Sequence, residues 1–486
     1  MLLLALLALA GCHPDPPGTV PEPPDDEDDT VGVAAPAAAN VTFVGPPPTN
    51  LVMISVDTMR RDHVGRYDDG ASLTPFLDAR MDEGFAADDM TGCSNWTVAG
   101  TACALAGASN LDRAEARGMV PILMDGPLAP IPQPSDPNGP TPLLPSFLRV
   151  HGFTSLLVTA NGYFSNAHGN AQGYDTLLYP GPVPIGRLWD EAEAHLLAQP
   201  PAEPWLIHLH AFEPHAPYLP DSSFLEGLDD LLPVPFDLTT MRGQEAAITA
   251  VYANPPTLTP DEIASVKEHV RLYYAGEIRR LDAGVEAVWA ELDAAGYLDD
   301  ALVVFWTDHG EALFDPVVNE HGKLLYRNEN DVVAWYWAKN IVPGAATGPS
   351  EQIDIAPTIL AALGFPLAAE MTGIPLGDAP EDRIRHALTD AYKGPVQTVQ
   401  QGRYKLQFRW GLPDEDAPTT LGFYDVVADP GELVNLYDPA VAPSAELLAL
   451  WPAMQADIEK ATPWIAEDPR SWEVTWPEGL SRPGTP

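Results

Sequence analysis

The sequence predicts an α/β fold, in which a doubly wound and mostly parallel sheet is flanked by helices and followed by a smaller C-terminal α+β subdomain. Two apolar runs of strand length, 51–56 and 301–307, each end directly at an aspartate. Apolar runs of this length are typical of parallel strands that are buried on both faces. Stretches with helical periodicity lie between the strands, and this alternation favours a doubly wound sheet.

The other predicted elements follow in order along the chain. Two more apolar runs are predicted as strands, and four stretches carry a helical pattern. The strands are 155–159 and 205–210, and the helices are 74–83, 141–151, 188–197 and 265–295. In the C-terminal part we predict an antiparallel hairpin or small sheet from 402–408 and 422–426, with a helix over 444–462 packed against it.

Charge limits the classes of function that this chain can serve. It has 486 residues, and 69 Asp and Glu against 25 Lys and Arg give a formal net charge of −44. A surface this acidic repels phosphate backbones and anionic lipids, so we expect no nucleic-acid binding and no membrane docking through a basic patch. The sequence holds no run of 18 or more apolar residues, and no membrane-spanning helix is predicted.

The N-terminus has the pattern of an export signal. A short apolar stretch, 2–10, is followed by Gly11 and Cys12, which resembles a bacterial lipoprotein signal whose cysteine becomes the lipidated first residue. The first basic residue is Arg60, whereas such signals begin with positive charge, and a plain secretory signal is the alternative. We predict a signal over 1–12 and an exported protein, lipid-anchored to the periplasmic or surface face of the cell envelope.

Residues 13–48 are predicted to form a tether, since they hold ten prolines, seven acidic residues and no Lys or Arg. Such a segment buries too little apolar surface to offset its ordering entropy, so we expect a mobile, extended spacer. The α/β domain is then predicted over 49–390, and the C-terminal subdomain with its tail over 391–486. If Cys12 carries a lipid, a disulfide between the two other cysteines, Cys93 and Cys103, is possible.

Candidate metal ligands follow two of the predicted strands. Asp57 ends the first strand, and the Asp308-His309 pair ends the strand at 301–307. Open α/β sheets bind their ligands at the carboxyl ends of strands, so these groups converge if the two strands are neighbours. Carboxylates with one imidazole suit Ca²⁺, Mg²⁺, Mn²⁺ or Zn²⁺. The alternative for Asp57 is that it caps a helix beginning near Met59.

Six segments in chain order resemble the sulfatase-like branch of the alkaline phosphatase superfamily, between about residues 49 and 437. The segments are 55–63, 74–85, 307–311, 321–326, 353–360 and 423–436. The resemblance implies an alkaline phosphatase-like sheet and a hydrolase that cleaves sulfate or phosphate esters. It also implies one divalent cation, held by Asp57, Asp308, His309 and the hydroxyl of Thr97.

The resemblance places Thr97 at the position of the nucleophile. In sulfatases a cysteine that is oxidised to formylglycine stands there, so formylglycine chemistry is not available to this chain. Threonine occurs there in relatives that act on phosphate esters, such as lipoteichoic acid synthase-like enzymes, which favours phosphate over sulfate. A helix N-cap is an alternative role for Thr97 and is compatible with attack. Thr101 replaces a family arginine, and this leaves open a catalytically degenerate surface lipoprotein with a binding role.

Three more residues are candidate catalytic groups. The resemblance implies that His215 and Lys323 bind the substrate oxyanion, and we expect His321 to protonate the leaving group. His208 and His210 alternate along a predicted strand and point the same way, so each either faces the site or packs in the core. The expected substrate is a small-molecule, glycan or lipid ester.

Overall fold

The computed structural model of the protein describes residues 40–68, 70, 72–109, 111–112, 143–228, 231–315, 319–391, 394–411, 420–465 and 480. The predictions for the signal, for the lipidation of Cys12 and for most of the tether lie outside these residues. None of the described helices has both the length and the apolar character needed to cross a lipid bilayer.

A mostly parallel sheet of eight strands forms the centre of the main domain. The strands of the protein are β1 Asn50–Val56, β2 Phe85–Ala87, β3 Met90–Thr91, β4 Thr154–Thr159, β5 Thr176–Leu178, β6 Trp205–Ala211, β7 Ala301–Thr307, β8 Ala334–Trp337, β9 Gly344–Ala346, β10 Ser350–Glu351, β11 Arg385–Ala391, β12 Gly394–Gln401, β13 Tyr404–Arg409 and β14 Thr420–Asp425. The order across the main sheet is β5-β4-β6-β1-β7-β8-β2-β9, and β3 pairs with β10 beside it. β1 runs parallel to both of its neighbours, β6 and β7, as the predicted fold requires.

Helices cover both faces of this sheet. They are α1 Pro75–Glu83, α2 Thr97–Ala106, α3 Leu144–Val150, α4 Ile185–Ala198, α5 Met241–Val251, α6 Pro260–Ala294, α7 Arg327–Asn330, α8 Ile355–Ala362 and α9 Ala445–Ile465. Alternate residues of β1 belong to two different hydrophobic clusters: Ile54 packs with side chains of α4 and α6, and Met53 packs with those of α3 and α8. Every residue of β1, β6 and β7 is buried, which explains why these strands read as unbroken apolar runs.

Local sequence signals explain where the predicted helices begin. The longest helix, α6, starts with a capping box between Thr259 and Glu262, and Pro260 occupies its first position. α2, α5, α7 and α8 are not among the helices predicted from the sequence, although a helix start at Thr97 was one of the alternatives considered. Every residue of α2 is buried, so this helix lacks the polar face that produces an amphipathic pattern.

A four-stranded antiparallel sheet, in the order β11-β12-β13-β14, forms the C-terminal subdomain together with α9. The predicted hairpin is confirmed by the pairing of β13 with β14. α9 packs on this sheet through Trp451, Met454 and Ile458, as the sequence predicted. β11 already begins at Arg385, a few residues before the predicted start of the subdomain at 391.

The segment before β1 and the C-terminal subdomain each contact the main domain. The last part of the predicted tether, residues 40–48, lies against the main domain, where Val41 is 3% exposed and Phe43 bridges to Ile341. In the subdomain, the buried Lys405 ammonium lies 2.8 Å from the Glu432 carboxylate. The Glu432 carboxylate also accepts a hydrogen bond from the backbone of Arg327 at 2.6 Å, which joins the subdomain to the main domain at α7.

We predict that the Asp282→Ala substitution destabilises the fold by about 1–3 kcal/mol, because it leaves the buried backbone N–H of Leu77 and the partly buried one of Phe76 without their acceptor. Asp282 of α6 is 4% exposed and accepts hydrogen bonds from the backbone of Phe76 at 3.1 Å and of Leu77 at 2.9 Å, in the first turn of α1. The measurement is urea unfolding, with Glu286→Ala on the exposed side of the same helix as the control. Equal midpoints for the two variants would contradict this role.

Candidate active site

The two predicted metal-binding segments meet at the carboxyl ends of adjacent strands. Val56 of β1 lies opposite Thr307 of β7, so Asp57 and Asp308 follow the two strands side by side. The backbone of Asp308 donates to the carbonyl of Val56 at 3.1 Å, and the Asp308 carboxylate accepts from the backbone of Thr58 at 3.1 Å. Both aspartates are fully buried. The convergence expected from the sequence is therefore observed.

The structure does not give Asp57 the capping role considered as an alternative. The next element after it is a short 3₁₀ helix, Arg61–His63, whose N-cap residue is Arg60. The guanidinium of Arg60 pairs with Asp62 at 2.6 Å and with Asp315 at 2.8 Å. The carboxylate of Asp57 is therefore available to the site at the carboxyl ends of the strands.

His309 joins the two carboxylates with its lone pair directed toward them. Its Nδ1–H donates to the carbonyl of Gly310 at 2.9 Å, so in the neutral ring Nε2 is the unprotonated nitrogen. That Nε2 lies 3.6 Å from Asp57 Oδ1 and 3.7 Å from Asp308 Oδ2. It also lies 3.5 Å from the hydroxyl of Thr97. Three oxygen atoms therefore lie within 3.7 Å of this nitrogen.

The electrostatics of this cluster fit a bound cation. Within the described part of the chain, Asp57 Oδ1 and Asp308 Oδ2 are buried and have no hydrogen-bond partner. Burial raises the pKa of Asp57 to about 6, and burial together with the neighbouring Asp57 raises the pKa of Asp308 well above its ordinary value. Burial lowers the pKa of His309 well below its ordinary value. A divalent cation would offset this repulsion, and oxygen and imidazole ligands suit Mn²⁺, Mg²⁺, Ca²⁺ or Zn²⁺.

His210 is a further group at the same point, and it resolves one of the alternatives that the sequence left open. One nitrogen of His210 and one carboxylate oxygen each of Asp57 and Asp308 lie within 4.8 Å of one another. Burial lowers the pKa of His210 to about 3, so the imidazole is neutral. His208, two residues earlier, lies behind it and packs against the ring of Phe164.

Thr97 is the first residue of α2, and Trp96 holds the N-cap position. The N-cap role considered for Thr97 is therefore taken by its neighbour, while Thr97 still lies at the positive end of the helix dipole. Gly100 allows the close approach of this helix, since a Cβ at that position would lie 2.6 Å from the carbonyl oxygen of Asp308. A disulfide between Cys93 and Cys103 closes the chain around the start of the helix.

Neutral side chains surround the nucleophile position. The Thr101 hydroxyl donates to the carbonyl of Thr97 at 2.5 Å and accepts from the amide of Asn170 at 2.8 Å. The Asn161 amide donates to Asp57 at 2.5 Å and lies 3.4 Å from the hydroxyl of Thr97. Asn161 was not singled out from the sequence, although its position just after β4 places it on the same edge of the sheet.

His215 and His321 lie together beside the metal-ligand cluster. Their ring centroids are 5.1 Å apart, and the ring of His321 lies 4.5 Å from that of His309. His321 Nδ1 lies 3.2 Å from a carboxylate oxygen of Glu311, whose pKa is raised to about 8, chiefly by burial. An acidic group of this kind can hold the imidazole in place and can supply a proton near neutral pH.

Lys323 lies on the loop after His321, but its ammonium contacts residues of that same loop. Its ammonium donates to the backbone carbonyl of Asn319 and lies 3.5 Å from the carboxylate of Glu320. The side chain is 26% exposed. Its positive charge contributes to the lowered pKa of His321, after burial and the neighbouring His215. The structure thus places Lys323 near the site without a direct contact to the ligand cluster.

The protein thus combines a doubly wound sheet, two carboxylates at the ends of adjacent strands and a hydroxyl at the start of a helix. The family model named Sulfatase matches residues 49–365, and the chain belongs to this family. The resemblance stated from the sequence motifs is thereby confirmed.

Curated relatives match about half of the chain. A choline-sulfatase of Rhizobium meliloti (strain 1021) is 24% identical over 253 residues, which cover 48% of this chain and 46% of the relative. The multifunctional alkaline phosphatase superfamily protein PehA of Trinickia caryophylli is 28% identical over 287 residues, which cover 49% and 53% respectively. The matched region thus spans about half the length of each of these relatives.

Solved structures confirm the fold over most of the chain. The structure of BT4656 in complex with D-glucosamine-2-N,6-O-disulfate has a TM-score of 0.63 at 15% identity, covering 87% of this chain and 99% of that one. The phosphonate monoester hydrolase SpPMH from Silicibacter pomeroyi has a TM-score of 0.60 at 19% identity, covering 88% and 99%. At these identities the similarity establishes the shared architecture.

Proposed function

We propose that the protein is a metal-dependent hydrolase of sulfate or phosphate esters that uses Thr97 as its nucleophile. One observation carries this proposal: His309 Nε2 lies within 3.7 Å of the hydroxyl of Thr97 and of two buried carboxylate oxygens that have no hydrogen-bond partner among the described residues. Family membership and the names of the relatives support the reaction class.

We assign the metal ligands and the nucleophile first. Asp57, Asp308 and His309 would hold one divalent cation, with the hydroxyl of Thr97 as a further ligand. When bound, the cation supplies positive charge that lowers the pKa of the hydroxyl and neutralises the transferred group. Thr97 would release its hydroxyl proton to water and attack as the alkoxide from the helix N-terminus, where the backbone dipoles favour negative charge.

The remaining groups would serve the transferred group and the leaving group. His215 and Lys323 provide donors for the equatorial oxygens of the substrate, where negative charge accumulates in the transition state. His321 gives a proton to the leaving oxygen as the ester bond breaks. Glu311 positions His321 through the 3.2 Å contact and, with its raised pKa, can return the proton.

Threonine at the nucleophile position favours phosphate over sulfate esters. An alkoxide forms a phosphoester that water can hydrolyse to regenerate Thr97, and no oxidised cysteine is needed. Thr101 stands where the family has an arginine, and Asn161 beside Thr97 is neutral as well. Neither residue therefore provides positive charge for the substrate next to the nucleophile. This same observation favours the alternative function, a degenerate member of the family that binds an ester without cleaving it.

The decisive experiment pairs metal analysis with substrate cleavage. Purified protein is stripped with a chelator, reloaded separately with Zn²⁺, Mn²⁺, Mg²⁺ or Ca²⁺, and tested with chromogenic phosphomonoesters, phosphodiesters and sulfate esters. We expect one bound cation per chain and metal-dependent cleavage that is faster with a phosphate than with a sulfate ester. Metal binding without cleavage of any ester would support the binding function, and faster sulfate cleavage would contradict the preference.

Export and lipid anchoring through Cys12 belong to the same proposal. The Cys93–Cys103 disulfide supports export, because disulfides persist in oxidising compartments outside the cytoplasm. Mass spectrometry of the mature protein from membranes tests the anchor. An unmodified Cys12, or a mature N-terminus elsewhere in the chain, would refute it.

A further inference from the structure

We propose that His210 is an additional ligand of the active-site cation and that a buried chain of Tyr174, His208 and Ser55 sets its tautomer. The proposal rests on the cation of the proposed function, but it concerns residues outside the ligand set that the sequence motifs define. It assigns a positioning role to three buried side chains behind the site.

Hydrogen bonds connect the four groups in one line. The hydroxyl of Tyr174 lies 2.5 Å from His208 Nδ1, and His208 Nε2 lies 2.8 Å from the hydroxyl of Ser55. The same Ser55 hydroxyl lies 2.7 Å from His210 Nδ1. Ser55 on β1 stands opposite His210 on β6 in the parallel register, so the sheet itself holds this contact. Ser55, His208 and His210 are fully buried.

The His210 end of this chain of hydrogen bonds lies at the metal-ligand cluster. Within the described residues, His210 Nε2 is buried and has no hydrogen-bond partner, as is the case for Asp57 Oδ1 and Asp308 Oδ2. Three unpartnered polar atoms from three residues would each cost free energy in a dry core. Because a nitrogen of His210 and one carboxylate oxygen of each aspartate lie within 4.8 Å of one another, a single cation can reach all three residues.

The direction of the hydrogen bonds decides whether His210 can act as a ligand. A neutral imidazole carries one N–H, and a hydroxyl donates one hydrogen. If His210 Nδ1–H donates to Ser55, the Ser55 hydroxyl donates to His208 Nε2, and His208 Nδ1–H donates to Tyr174. His210 Nε2 then offers a lone pair to the cation. In the opposite direction Nε2 carries a proton that faces the cation and excludes it from the nitrogen.

Ser55 is therefore the residue that couples the two imidazoles. Its hydroxyl is the acceptor that keeps the proton of His210 on Nδ1, and this is the usual function of groups that contact a metal ligand from behind. Loss of such a contact typically lowers metal affinity 10–100-fold. The Ser55→Ala substitution removes one oxygen atom and leaves His210 itself in place.

The first test counts imidazole ligands in the Cu²⁺-loaded protein by electron spin echo envelope modulation, which detects the remote nitrogen of each bound ring. We expect two imidazoles, from His309 and His210, in the parent and one in His210→Asn. The control is His269→Asn, since His269 is buried on α6 and donates to the carbonyl of Ser265 at 2.8 Å. One imidazole in the parent would overturn the proposal while leaving the proposed function intact. No Cu²⁺ binding by the parent would overturn both.

The second test measures Zn²⁺ affinity by competition with a chelator. Ser55→Ala is expected to bind Zn²⁺ 10–100-fold more weakly than the parent. Ser265→Ala is the matched control, because Ser265 is also a buried serine whose hydroxyl lies 3.4 Å from a histidine Nδ1. Equal affinities for Ser55→Ala and Ser265→Ala would refute the positioning role. If a variant fails to fold, the imidazole count in the parent still decides the ligand role.

Discussion

Thr97→Ala is expected to reduce ester hydrolysis at least a hundred- to thousandfold while it leaves the fold intact. The substitution removes the oxygen that we propose attacks the ester and binds the cation, and that lies 3.5 Å from His309 Nε2. Loss of a single transition-state contact typically costs about 2.7–4 kcal/mol of barrier, and loss of the attacking atom should cost no less. Thr97 is the first residue of α2, where alanine is well tolerated.

The measurement is the steady-state rate of the Zn²⁺- or Mn²⁺-loaded variant with the best substrate of the parent. Thr97→Ser keeps a hydroxyl at the same place and should retain part of the activity. Thr91→Ala is the matched control, because Thr91 is also a buried threonine, 5% exposed, on β3. A Thr97→Ala variant that works at the parent rate would show that water or another residue is the nucleophile.

The fold and the strand-end positions of Asp57 and Asp308 could be predicted because both depend on local sequence patterns. Strands such as β1 and β7 are buried on both faces, so their residues form unbroken apolar runs that end visibly at a charged residue. Adjacent parallel strands bring their ends together, and Asp57 and Asp308 therefore had to be close if the strands were neighbours. The order of the strands was the one assumption that only the structure could confirm.

Other parts of the site depend on contacts that no local pattern shows. Asn161 follows β4, and nothing in its neighbourhood distinguishes it from a turn asparagine until the fold brings it 2.5 Å from Asp57. The alternation of His208 and His210 showed that both point to one face of the strand. It could not show that His210 reaches the carboxylates while His208 stays behind Ser55.

Asp308→Asn is expected to stabilise the metal-free protein and to abolish its stabilisation by metal, two effects of opposite sign. In the metal-free protein, Asp308 Oδ2 and Asp57 Oδ1 are buried without a hydrogen-bond partner among the described residues, and burial raises the pKa of both groups. A neutral amide removes one of the two buried charges and relieves the repulsion on the other. We expect a gain on the order of 1–3 kcal/mol near neutral pH.

The free energy of unfolding of the metal-free protein should also depend on pH, because the buried aspartates titrate. The pKa of Asp57 is about 6 in the folded protein against the ordinary value of 3.8, so the native state binds more protons than the unfolded state in this range. The free energy of unfolding of the metal-free parent should therefore decrease as pH rises from about 4 through 6. Because burial and the neighbouring Asp57 also raise the pKa of Asp308, its carboxylate contributes to this decrease, and the decrease should be smaller in Asp308→Asn.

Added metal should reverse the ranking of the two proteins. A cation at a hundred times its dissociation constant stabilises the parent by about 2.7 kcal/mol, whereas Asp308→Asn lacks a charged ligand and should gain little. Thermal unfolding with and without Zn²⁺ at pH 5 and pH 8 measures both effects. Asp190→Asn is the control, since Asp190 lies exposed on α4 and forms a surface ion pair with Arg187. A metal-free Asp308→Asn that is less stable than the metal-free parent at pH 8 would mean that the charge of Asp308 stabilises the fold without a cation, and that this cluster is not a metal site.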